Sequence, residues 1–279
     1  MATKTARRRR NEPRPEAPSG IVLFRGDSPF NGAPYVVIAI GRSTNRKTGD
    51  MVQVYILLDD GRSPVDAVHS GADRAICGDC PLRGLAGFVG RRCYVNVGQG
   101  PQTVHTQDRP RSPNDDGWTP DTTPGAYPDY DPAAHDRYFR GRMIRWGAYG
   151  EPVLVPIDMV ARLSELAQGW TGYTHQWRRP EYSEYRQFFM ASVHSTGEGA
   201  EANAAGWRYF RSDHEATPEA NESRCPASEE AGRVATCETC HLCRGRGCAP
   251  EGARLPRNIV IATHGGTAVM AASRRLAVL

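Results

Sequence analysis

The chain predicts an α/β fold, a partial parallel sheet or incomplete barrel with an N-terminal β-hairpin region and cysteine-rich metal-binding loops. Three observations predict it. Strand-like runs alternate with helical stretches through the second half, the pattern of a parallel sheet. Two β-rich runs flank a turn in the first half. Eight cysteines fall in two tight groups at metal-ligand spacings.

Residues 1–19 are polar, basic and proline-rich, with arginine at each position from Arg7 to Arg10. They read as a disordered arm able to touch nucleic acid. No apolar stretch follows the arginines, so the arm does not read as a secretory signal. No apolar run reaches membrane length, so no span is expected. A cytoplasmic setting follows, in which C-x2-C pairs bind metals or do redox chemistry.

Residues 35–40 and 51–58 read as the two strands of a hairpin. The loop between them superficially resembles a phosphate-binding loop, through Gly41 and Lys47-Thr48. It departs from that pattern because Arg46 stands where the second glycine belongs and a strand follows instead of a helix. Asn45, Lys47 and Thr48 are therefore candidates for contact with a phosphate at a basic hairpin tip; an ordinary exposed turn is the alternative. Residues 20–106 form a β-rich region with the first cysteine site. Residues 107–138, rich in Pro, Asp and Gly, read as a loop or linker. Residues 139–279 form an α/β region carrying a second cysteine-rich insertion at 225–248.

Within that region residues 142–147 read as a strand. Pro156 opens a helix with Met159, Val160, Leu163 and Leu166 on one face, and Gly169 closes it. Strands follow at 170–174, 188–193, 207–210 and 258–263, with a helical turn around 201–205 and a final helix from Thr267.

The first cysteine group is Cys77, Cys80 and Cys93; the second is Cys225, Cys237, Cys240, Cys243 and Cys248. A C-x2-C turn aims two sulfurs at one point, which suits zinc or an iron–sulfur cluster. The simplest accounting has two sites. Cys237, Cys240, Cys243 and Cys248 hold one; Cys77, Cys80 and Cys93 hold the other, with Cys225 or a non-cysteine fourth group. His241 is a spare ligand for zinc. Three cysteines around a four-iron cluster leave one iron open to a substrate.

Three expected strands end in histidine: His175, His194 and His264. If the strands are parallel, these side chains converge at their carboxyl ends, where such folds build sites. Tyr149 sits on the same rim. The four are candidate catalytic residues, with histidine serving as acid, base or ligand; the alternative is that each His merely marks a strand end. His264-Gly265-Gly266 before a helix is also a candidate anion site.

The formal net charge is +4, and Lys4 and Lys47 are the only lysines among 35 basic residues. Arginine's planar fork suits phosphate, which makes nucleic acid a natural partner; a G+C-rich genome produces the same bias. No protein partner can be named.

The segments Asn45-Arg46-Lys47-Thr48-Gly49-Asp50-Met51, Cys77-Gly78-Asp79-Cys80-Pro81 and Cys93-Tyr94-Val95-Asn96-Val97-Gly98-Gln99-Gly100-Pro101 resemble a family of uncharacterised bacteriophage and prophage proteins. Gly172-Tyr173-Thr174-His175-Gln176-Trp177, Cys225-Pro226-Ala227-Ser228 and Ile261-Ala262-Thr263-His264-Gly265 carry the resemblance further. That family implies no function. More distantly, the three-cysteine loop is similar to phage families with radical-SAM-like barrels. The C-x2-C-x12-C spacing departs from their C-x3-C-x2-C, which argues against S-adenosylmethionine. The expectation is a phage-type cytoplasmic metalloprotein acting on nucleic acid or nucleotides, as a modifying enzyme. A non-catalytic zinc-stabilised nucleic-acid-binding protein and a protein that interferes with host defence are the alternatives.

Overall fold

The computed structural model describes residues 18–41, 47–109, 125–232, 235–248 and 255–263. Among the described residues two five-stranded sheets carry the fold. In the first, β1 (Gly20–Asp27), β2 (Pro34–Ile40) and β3 (Val52–Leu58) form an antiparallel meander, and β4 (Met143–Tyr149) and β5 (Gly169–Thr171) add in parallel to β3. The second contains β6 (Tyr173–Thr174), β7 (Met190–Val193), β8 (Tyr209–Asp213), β9 (Glu222–Arg224) and β10 (Asn258–Ala262). Its order is β6-β7-β8-β10-β9 and every pairing is parallel. The fold is thus α/β with partial parallel sheets and an N-terminal hairpin, and the described strands close no barrel.

The expected hairpin is the β2–β3 pair. The β1 strand is an addition: Ile21, Val22 and Leu23 are buried, and Ser28 N–H donates to the Ala33 carbonyl across the turn into β2 (2.9 Å). An apolar run ending in Gly26-Asp27-Ser28-Pro29 carries that signal.

The expected strand at 170–174 is two strands. Residues 169–171 pair with β4 and residues 173–174 pair with β7, so one short segment serves both sheets. Gly172 marks the change. Its carbonyl accepts from Met190 N–H (3.0 Å) and its N–H donates to the Cys243 carbonyl (3.3 Å). A Cβ here would stand 2.5 Å from Phe189 Cδ1, so the close approach of Phe189 requires glycine. Gly169 opens β5 instead of capping the preceding helix, which ends at Leu166 with Ala167 already extended.

Among the described residues seven α-helical segments join the strands: α1 (Pro64–Ser70), α2 (Arg74–Cys77), α3 (Gly100–Asp108), α4 (Pro132–His135), α5 (Ile157–Leu166), α6 (Thr196–Ala204) and α7 (Cys237–Cys240). Ser63 caps α1, Pro64 fills its first turn and Gly71 ends it in the left-handed region. The apolar stripe of α5 buries Val160 and Leu163. The main core runs through both sheets: Val37, Ile38, Val54, Ile56, Trp146, Phe189, Ala191 and Val193 are fully buried within it. The 1–17 part of the basic arm and the helix expected from Thr267 lie outside the described residues.

Candidate metal centres on one cavity

Side-chain alternation explains how this fold builds a site. On β4, Ile144, Trp146 and Ala148 face the core, while Arg145, Gly147 and Tyr149 line a cavity of about 990 Å³. Along the second sheet the alternation holds until the strand ends, where Asp213 and Ala262 join the lining. Tyr173 and His175, Ser192 and His194, Phe210, Ser212 and His214, and Ile261 and Thr263 all line that cavity. It opens at the carboxyl ends of the parallel strands, the position such sheets reserve for sites.

The first cysteine loop approaches from α2. Cys80 N–H donates to the Cys77 carbonyl (3.1 Å), closing the C-x2-C turn. Gly78 between them adopts φ +54°, and a Cβ there would lie 2.9 Å from both Gln176 Nε2 and the Phe30 ring. Asp73, 1% exposed, fastens the loop by accepting from Arg83 (2.6 Å) and Arg91 (3.5 Å). Glu151 N–H donates to the Ile76 carbonyl (2.8 Å) and Gln176 Nε2 to the Cys77 carbonyl (3.3 Å), tying the loop to the ends of β4 and β6.

Cys80 Sγ, a Glu151 carboxylate oxygen and a His175 ring nitrogen lie within 4.8 Å of one another, and this group can hold a metal ion. Glu151 is buried and accepts from Thr174 Oγ1 (2.6 Å) and from His175 N–H (3.2 Å to each oxygen); its Oε1 is 3.3 Å from His175 Nδ1. On the other side, His175 Nε2 and His194 Nε2 are 3.1 Å apart. Burial opposes a charge on His175, but hydrogen bonds to Cys80 and Glu151 outweigh it and lift its pKa to about 10. Burial, reinforced by the charge on His175, lowers His194 to about 4. Burial foremost, then the neighbouring Cys80, Asp73, Cys93 and Glu151, pushes the Cys77 thiol well up. Burial also raises Cys93, against the pull of Arg91.

The second group assembles from three directions. Cys225 follows β9, and its N–H donates to the Val260 carbonyl (2.8 Å). Cys237 and Cys240 sit on α7, whose end at His241 is left-handed (φ +60°). Cys243 follows, held where its carbonyl accepts from Gly172 N–H. Burial first, and then thiols of this same group, raise Cys225, Cys237 and Cys243; Cys240 is among the neighbours of each. Cys225 therefore lies beside the second group, and the non-cysteine side chains that could share an ion with Cys80 are His175 and Glu151. Clustered thiols of this kind gain by trading protons for a cation. The seven cysteines from Cys77 to Cys243 are free.

Both groups face the same cavity, along with His175, His194, Tyr149, Lys47, Thr48 and His241. Asn45, His264 and the Gly265-Gly266 anion site lie outside the described residues, as does the side chain of Cys248. The sequence does not single out Glu151, Arg145 or Tyr173. Glu151 stands directly after the Gly147–Gly150 segment, and Arg145 is a charge in the middle of an apolar strand; both are signals of a function for the strand end. Arg145 has Gln53 (3.4 Å), Tyr94, Tyr173, Tyr55 and Cys237 around it. Among the described residues no carboxylate is in ion-pair range of it. The Tyr149 hydroxyl is buried with no hydrogen-bond partner among the described residues. Burial, then Cys77 and Asp73, holds its pKa well above the phenol range, so it stays protonated and able to donate.

Among the described residues no helix is long and apolar enough to cross a membrane. Comparison of the chain with protein-family models, with curated proteins and with solved structures finds no match.

Proposed function

We propose that this is a phage-type cytoplasmic metalloenzyme that acts on a nucleotide, free or within a nucleic acid, in a cavity shared by two metal centres. One observation carries the reading. Both cysteine groups, the two strand-end histidines and Arg145 line one cavity of about 990 Å³. Metals that only braced the fold would have no reason to share a ligand-sized space, the upper end of the volume range for small-molecule sites.

The polar groups left over inside the cavity define what it takes. Arg145 offers a guanidinium with no carboxylate opposite, a fork suited to phosphate. Tyr149 offers a buried donor without an acceptor. Lys47 and Arg92 add positive charge to the same lining. An anionic, nucleotide-sized ligand would satisfy Arg145 and Tyr149 together.

Cys80, Glu151 and His175 suit a single ion. The thiols of Cys225, Cys237, Cys240 and Cys243 are soft ligands that zinc and an iron–sulfur cluster both accept.

The test is anaerobic purification with iron, zinc and acid-labile sulfide analysis, followed by calorimetric titration with nucleoside phosphates at two salt concentrations. Bound metal together with salt-sensitive binding is the expected result. Protein free of both iron and zinc overturns the proposal, and metal-loaded protein without affinity for nucleoside phosphates or oligonucleotides removes the substrate class.

A further inference from the structure

The segment that follows the first cysteine loop turns one large ring into the cavity. Its side chains alternate between covered and open, as in any extended chain. Val95 packs against the main core and Val97 is buried, while Arg92, Tyr94 and Asn96 take the open side. Arg92 and Tyr94 both line the cavity.

Tyr94 is 59% exposed, more than any other tyrosine, tryptophan or phenylalanine among the described residues. It belongs to neither apolar cluster, and among the described residues no ring or guanidinium stacks on it. A tyrosine open on an outer surface is ordinary, but protein surrounds this one, and burial is the foremost cause of its raised phenol pKa. A side chain that is enclosed and yet open over more than half its area projects into the cavity. The other aromatic rings of the lining are covered. Tyr149 is 2% exposed, and Tyr173 and Phe210 pack on each other with centroids 4.5 Å apart.

An aromatic face held open inside a cavity is half of a stack. Every nucleobase has a face that completes it, and such a stack is worth about 5–150-fold in affinity. Arg145 lines the same cavity, near enough for its charge to act on Tyr94. We infer that the cavity takes the base of its ligand on the Tyr94 ring, with the phosphate turned to Arg145. Tyr94 is then the residue that selects a nucleotide over other phosphate esters. Because it directly follows Cys93, the base lies on the side of the first cysteine group. This rests on the nucleotide reading above and deepens it.

The test uses the full-length protein purified anaerobically with its metal. The four nucleoside 5′-monophosphates and ribose 5-phosphate are titrated calorimetrically into the parent, Tyr94→Ala, Tyr94→Phe and Tyr94→Trp. The expected result is nucleotide affinity weakened about 5–150-fold in Tyr94→Ala and kept in Tyr94→Phe and Tyr94→Trp. Tyr94→Trp also adds fluorescence that a nucleotide quenches and ribose 5-phosphate does not, a readout that holds even where Tyr94→Ala unfolds. Unchanged nucleotide affinity in Tyr94→Ala, or added fluorescence that bound nucleotide leaves untouched, overturns the inference while the nucleotide reading stands. A parent protein that binds none of the four monophosphates overturns that reading and the inference with it.

Discussion

Removing the Glu222 carboxylate should destabilise the second sheet more than any surface change. Arg211 on β8 and Glu222 on β9 are 1% and 0% exposed and flank β10. Arg211 Nε and Nη2 donate to the two carboxylate oxygens at 2.8 and 2.7 Å, a bidentate pair, and Glu219 N–H adds a third donor (2.8 Å). Arg211 retains Asp213 and the Thr217 carbonyl (2.7 Å) if the pair is broken, but its main counter-charge is lost. Breaking a buried pair from one side costs about 3–5 kcal/mol, because the surviving charge stays buried. For a chain of this size that corresponds to a fall in Tm of about 6–20 °C. Thermal melts and urea titrations of Glu222→Ala measure it, and Arg211→Met/Glu222→Leu should recover most of the loss. Burial works to raise the Glu222 pKa, yet the Arg211 bonds prevail and hold it low. The pair's contribution is therefore full above the ordinary value of 4.5 and lost as pH falls through the depressed folded value. A Glu222→Ala melt within about 1 kcal/mol of the parent, or a double variant no better than the single one, refutes the reasoning.

Three further outcomes are expected. Gly172→Ala places a methyl 2.5 Å from Phe189 Cδ1 and should cost about 1–3 kcal/mol through overpacking, seen as a lower urea midpoint; an unchanged midpoint contradicts the close approach. Cys240→Ser should remove the second centre's metal and leave the ion held through Cys80, while Cys80→Ser does the reverse; metal analysis per chain decides, and loss of all metal in both variants indicates one shared centre. Arg145→Gln should weaken nucleoside-phosphate binding by about 10–150-fold, the equivalent of a charge-assisted hydrogen bond of 1.5–3 kcal/mol, and flatten its salt dependence; calorimetry showing unchanged affinity removes Arg145 from the binding surface.

The hairpin, the α5 helix and the parallel strands were legible because each carries a local signal: β-branched runs, an apolar stripe after Pro156, histidines closing short strands. The placement of His175 and His194 on one rim was legible for the same reason, since parallel strands deliver their carboxyl ends together. The break at Gly172 was not, because only the neighbouring Phe189 ring shows why a strand of six residues must change sheets. Glu151 was hidden because its role depends on a carboxylate reaching Thr174 and His175 from another strand. The company kept by Cys225 was equally hidden: eleven residues separate it from Cys237 in the chain, and β10 pairing brings β9 to the cavity edge.

The α7 turn also clasps the residues that lead into β3. Cys237 and Glu238 N–H groups bond the carbonyls of Lys47 and Thr48, and Asp50 N–H bonds Glu238, 188 residues away. During synthesis at 5–20 residues per second, roughly 10–40 s separates the emergence of the two ends of that clasp. Arg142, which bonds the Gly41 and Asp50 carbonyls, emerges well before the α7 residues that bond Lys47 and Thr48. A metal ion taken up by Cys237 and Cys240 would therefore be loaded late, when α7 closes on residues 47–50.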